Sequence, residues 1–247
     1  MVHLFQSEEH NQPHAAVSIQ ADARQSFQLT YHGEALLIDG TAIALHQNGA
    51  ALPPAQAIES TLLCNRTWEN LQIFAADCAA GYPDAVEKAI RVWILDLPHQ
   101  MVTVDIVKTK EDCTLCTNFN VNNLDDTLNI HEYSQQRLVF RRGGQGFKLF
   151  ELLSLTDGVP VSATLNHAQV GPIVGYSWED LPGKAHLRVH TYSMDTSENI
   201  PQWHVKLLEN NAIRMEYPRA EDWWDILPEP HQITLIRKDG KQEVIKL

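Results

Sequence analysis

The stretch Met101-Val-Thr-Val-Asp-Ile-Val107 decides the fold. Apolar and polar residues alternate closely enough to bury one face of a strand, and no helical period fits them. Working outward, Leu97-Pro98 breaks the chain just before it, so Val86 to Leu95 and His99 to Lys108 read as a hairpin. Leu71 to Cys78 precedes this pair and Cys113 to Val121 follows it. Near the end, Gln232 to Arg237 and Glu243 to Lys246 flank Lys238-Asp-Gly-Lys241, in which Asp-Gly signals a tight hairpin. Near the start, Gln25 to Tyr31 and Ala35 to Ile38 are joined by the turn His32-Gly33-Glu34. Helical periodicity is weak throughout, and the best candidate, Pro53 to Thr61, is short. Strands recur with Gly, Pro and Asn between them, which predicts an all-β fold, a large many-stranded antiparallel β-sandwich. Residues 1–14 read as a polar arm and 15–247 as one sandwich domain.

Composition narrows the function classes. The 247 residues carry 19 Lys plus Arg against 31 Asp plus Glu, a formal net charge of −12. Nucleic-acid binding needs a basic footprint, so nucleic acid is not an expected partner. The longest uncharged stretch, Gly40 to Ile58, contains Pro53, Pro54, His46 and Asn48, so no membrane span is expected. The start lacks a basic segment before an apolar one, so a cytoplasmic location is expected if Met1 is the natural start. Four cysteines do not make a disulfide scaffold. Cys113 and Cys116 have metal-binding spacing, but three residues apart on a strand they point to opposite faces.

Three segments in register resemble the C-terminal β-sandwich domain of heparinase II/III-like polysaccharide lyases, over roughly residues 15–125. Ser26 to Gly40 resembles the family's hairpin "SFxLxxxGxPLLxDxG". Ser60 to Thr67 resembles "STxAHNTV". Gly81-Tyr82, through Arg91-Val92, to Val104-Asp105-Ile106-Val107 resembles "GY…RxVxxxxxxxxVVxDxV". The resemblance implies a sandwich that normally accompanies a helical toroid and cleaves uronic-acid polysaccharides by β-elimination. This chain has no room for a toroid. A His-x-His-x-Asp run precedes the Ser-Phe pair in the family, and the matching places hold Ile19, Ala21 and Ala23, none able to exchange a proton. Some members bind zinc in this domain, and their ligand positions match Ala21, Asp39 and Cys64. Asp39 and Cys64 are thus the weak metal candidates, with His14, His32 or His46 as a third donor. Two ligands make no closed site, so no cofactor is expected beyond that zinc.

Among the other clusters, His186, Arg188, His190 and Tyr192 share one face of a strictly alternating strand, with Ala185, Leu187 and Val189 on the other. That row is the candidate ligand-binding face, with Arg188 forking onto a saccharide carboxylate; its competing reading is the solvated side of a half-buried sheet. Trp178, Trp203, Trp223 and Trp224 offer stacking surfaces, and adjacent Trp223 and Trp224 should point opposite ways. Arg137, Arg141, Arg142 and Lys148 around Gly143-Gly144 form the best local anion patch. No catalytic residue is assigned. The favoured function is a heparinase-like sandwich module, non-catalytic alone, that binds an acidic polysaccharide or docks onto a helical lyase domain or subunit. The alternatives are the sandwich half of an active uronate-polysaccharide lyase, and a structural scaffold.

Overall fold

Strands dominate the computed structural model, which describes residues 2–6, 15–19, 27–40, 43–54, 60–170, 173–196, 204–216 and 222–247. Among the described residues all strand pairings are antiparallel, and hydrogen bonding runs through a 17-stranded sheet and a separate 5-stranded one. The expected hairpins are present. Phe27–Tyr31 and Glu34–Gly40 pair across a turn in which His32 (φ 50°) and Gly33 (φ 79°) are left-handed, the geometry of a two-residue type I′ connection. Gln232–Arg237 and Gln242–Lys246 pair across the Asp239-Gly240 turn.

The structure joins what the pattern separates. His99 to Lys108 and Cys113 to Val121 fall in one 23-residue strand, Gln100–Asn122. Its first half lies between Val86–Asp96 and Gly183–Thr196; its second half meets Ala44–Gln47 and Ile173–Glu179. The register slips between Lys108 and Cys113, where Lys108, Lys110, Glu111 and Asp112 are exposed. The charged stretch is therefore a bulged crossing between two layers and not a turn.

Three layers result, because both faces of the central sheet are apolar. Phe74, Trp93, Leu95 and Met101 pack with Leu29, Leu37, Phe119 and Trp178 in one core. Their immediate neighbours in sequence, Ile73, Val92, Ile94 and Val102, pack with Ile213, Trp224, Ile226 and Leu235 of the five-stranded sheet in a second. A pleated strand sends alternate side chains to opposite faces, so one continuous apolar run serves both cores.

Two expectations change. The arm expected over residues 1–14 contains a strand, Val2–Gln6, paired with Ala15–Ile19, since Val2, Leu4 and Phe5 are good strand formers; residues 7–14 lie outside the described residues. Pro53 and Pro54 are not helical, residues 55–59 lie outside the described residues, and the strand Thr61–Trp68 follows. The helical segment among the described residues is a single 3-10 turn, Ala79–Gly81.

Candidate functional site

The row offered as a saccharide-binding face is inside the protein. His186 is 2% exposed, and Arg188, His190 and Tyr192 are each 0% exposed. Their strand is central, held between Gln100–Asn122 and Gln145–Thr156. Leu187 and Val189 join the core shared with the five-stranded sheet, and Tyr192 joins the other. Neither the groove nor the solvated face fits, because the opposing layer covers the polar side as well.

Burial of a guanidinium demands partners. Arg188 donates from Nε to Ser154 Oγ (3.0 Å), from Nη1 to Thr117 Oγ1 (3.1 Å) and the Trp178 carbonyl (2.7 Å), and from Nη2 to the Leu115 carbonyl (3.1 Å). Nη2 also lies 3.4 Å from the Asp180 carboxylate. Asp180 in turn accepts from the Leu115 N–H and sits 2.8 Å from His186 Nδ1, while His186 Nε2 reaches the Gly183 carbonyl. Arg188 therefore ties the layers together and has no fork left for a ligand. Arg91 and Asp105, the Arg and Asp of the third family-like segment, are directly opposed across two strands and form a bidentate ion pair, both fully buried. In that segment the pair closes a buried structural contact between neighbouring strands.

His190 lies against the rings of Phe119 and Trp178, with no hydrogen-bond partner for either ring nitrogen among the described residues. Desolvation first, then the Arg188 and Arg91 charges, hold its pKa well below 6.5. Glu151 stands opposite it across the sheet, its carboxyl raised above 4.5 by burial against the lowering pull of Arg188. The two act in opposite senses. As pH falls through 6.5 the unfolded chain protonates this histidine and the folded one does not, so stability drops by about 1.4 kcal/mol per pH unit until the folded pKa is reached. Glu151, protonated first in the folded state, costs stability as pH rises from 4.5 through its raised value. Urea unfolding between about pH 7.5 and about pH 5.5 should show a smaller loss in His190→Gln than in the parent chain, and equal losses would refute the assignment.

Of the metal candidates from the resemblance, the described residues settle the side chains of Cys64, His32 and His46. Asp39 lies on Glu34–Gly40, with its side chain outside the described residues, as are Ala21, Ala23 and His14. Cys64 is half-buried on Thr61–Trp68 and packs at the edge of the second core. His32 is exposed, edge-on to Tyr31. Cys113 and Cys116 point apart as expected: Cys113 packs with Leu115 and Cys78, whereas Cys116 Sγ turns to His46 Nδ1 at 3.5 Å. Burial and then the Glu179 carboxylate push the Cys116 thiol up to about 12. His46, Cys116 and Glu179 offer donor atoms within 4.8 Å of one another, a set with no local sequence signature.

Other surfaces are mostly self-satisfied. Trp224 is buried and Trp223 half-buried, with Arg214 stacked 3.7 Å from the Trp223 ring centroid and forked onto Asp225. Trp178 is buried and donates to the Gln135 carbonyl; Trp203 lies outside the described residues. Within the anion patch Arg142 is buried and paired with Glu34 and Asp125. An open cleft of about 480 Å³ retains an arginine and a ring: Arg137 lies 5.7 Å from the Phe150 ring centroid, with Ser134 and Gln136 beside them.

Comparison with known proteins rests on structure. No family model and no curated protein matches the sequence. Superposition on a mutant of the heparan sulfate lyase HepC from Pedobacter heparinus gives a TM-score of 0.63 at 12% identity, covering 98% of this chain and 40% of that one. The unmutated enzyme gives 0.61 at 12%, covering 95% and 39%. A heparinase III structure gives 0.59 at 9%, covering 95% and 40%. The chain thus spans about two fifths of the solved structures it matches, and over nearly its whole length it has the all-β sandwich fold found within heparinase III-type lyases.

Proposed function

We propose that this chain is the sandwich module of a heparinase-like lyase system, binding an acidic polysaccharide without cleaving it alone. The observation that carries the reading is the lyase-type sandwich with Ile19, Ala21 and Ala23 where the resembling family keeps its proton-transfer residues. β-Elimination needs a base at the C5 proton and neutralisation of the carboxylate. His186, His190 and Tyr192, the row expected to face a ligand, are enclosed. The Arg137–Phe150 cleft is the favoured contact, because an exposed arginine stacked on the Phe150 ring places positive charge at an open concave surface, where a uronate carboxylate would be attracted. Its charge is local in a chain of net −12, so binding should be modest and weakened by salt.

A second reading is favoured by the coverage of about 40%: the chain supplies the sandwich half of a working lyase whose helical part is elsewhere. One experiment tests the non-catalytic module reading. With heparan sulfate, hyaluronan or alginate fragments, absorbance of the new C4=C5 bond should stay flat while calorimetry records binding that Arg137→Gln weakens. Rising absorbance from the purified chain overturns the non-catalytic reading. Absent binding overturns the module reading.

A further inference from the structure

The trio His46, Cys116 and Glu179 is assembled by strand register. Glu179 is directly opposite Cys116 where Gln100–Asn122 meets Ile173–Glu179. On the other side of the same strand Thr114 opposes His46 and Cys116 opposes Ala44, which makes His46 the diagonal neighbour of Cys116. Three adjacent strands thus present one nitrogen, one sulfur and one carboxylate donor at one place. Diagonal and opposed positions on one face of a sheet are within side-chain reach.

The spacing has a chemical meaning. Tetrahedral zinc with S at about 2.3 Å and N at about 2.0 Å sets an S···N edge of about 3.5 Å. The Cys116 Sγ to His46 Nδ1 distance is 3.5 Å. The carboxylate lies within 4.8 Å of both other donors, close enough that a rotamer change at half-buried Glu179 closes the set. Cys116 is 1% exposed, whereas His46 and Glu179 are half-buried, so a metal reaches the thiol from their side. Sulfur and imidazole donors select zinc-class ions over calcium or magnesium. The same contact in the absence of metal is a thiol–imidazole hydrogen bond, which is the reading to be beaten.

We propose that His46, Cys116 and Glu179 bind one Zn²⁺, leaving a fourth position for water. Binding forms the Zn–S, Zn–N and Zn–O bonds and releases the Cys116 thiol proton to solvent; no redox step is involved. The donor set includes neither Asp39 nor Cys64 and stands or falls independently of polysaccharide binding. The test uses Co²⁺ as the probe on the reduced, metal-stripped chain. One equivalent should give a thiolate-to-cobalt charge-transfer band in the near ultraviolet, bleached when Zn²⁺ is added. Cys116→Ser should abolish the band, and His46→Ala and Glu179→Gln should weaken Co²⁺ binding about tenfold or more. Cys64→Ser, which removes the most accessible thiol, should change nothing. No band, a band surviving in Cys116→Ser, or one lost in Cys64→Ser overturns the proposal. If Cys116→Ser does not fold, His46→Ala and Glu179→Gln decide: undiminished binding in both overturns it equally.

Discussion

Asp105→Asn is expected to remove about 3–5 kcal/mol of folding stability, although it changes no shape. Asp105 is fully buried in the middle layer, with Arg91 opposite on one neighbouring strand and Arg188 opposite on the other. Arg91 gives Nε and Nη2 to the two carboxylate oxygens, and its Nη1 has no partner among the described residues. Neutralising the aspartate leaves a guanidinium that cannot shed its proton enclosed between apolar cores. The penalty is therefore that of an uncompensated charge and not of one hydrogen bond. Replacing both partners, as in Arg91→Met with Asp105→Leu, should recover most of the loss, because a buried ion pair contributes little beyond an apolar pair of similar volume. Urea unfolding of the two variants beside the parent chain checks this. A loss below about 1 kcal/mol in Asp105→Asn would mean that water reaches the pair, and the enclosed middle layer would have to be abandoned.

The sequence carried the strands because alternation and turn chemistry are local. The Phe27 to Gly40 hairpin, the Asp239-Gly240 turn, the opposed faces of Cys113 and Cys116 and the split between Trp223 and Trp224 all follow from a period of two. What covers each face is not local. The polar side of the row from His186 to Tyr192 looks solvated in one dimension, yet Thr117, Leu115 and Trp178, far along the chain or in another layer, supply the acceptors that allow its burial. The charged run from Lys108 to Asp112 reads as a break because polarity interrupts the pattern, whether a strand turns or crosses between layers. The trio of His46, Cys116 and Glu179 joins residues up to 133 positions apart (179 − 46) and depends on the registers of two strand pairs. No spacing rule encodes that placement.

Arg188→Ala should be comparably damaging, about 3–5 kcal/mol, and it distinguishes the interior row from the saccharide groove that the sequence suggests. Arg188 spans the layers. Ser154 lies on one strand paired with its own; Leu115 and Thr117 lie on the second half of Gln100–Asn122, beyond the bulge, and Trp178 on Ile173–Glu179, which pairs with that half. Truncation takes the guanidinium donor away from two hydroxyls, two carbonyls and the Asp180 carboxylate, and opens a void between the layers. Arg188→Lys keeps the charge but loses the planar fork, so it should fall between Ala and the parent chain. Arg137→Ala, on the exposed cleft, should stay within about 0.5 kcal/mol, as surface changes away from buried networks do. The groove reading demands the reverse pattern: near-normal stability in Arg188→Ala and a deficit confined to ligand binding. Denaturation midpoints at constant m-value decide between the two, and a parent-like midpoint for Arg188→Ala would return the row to the surface.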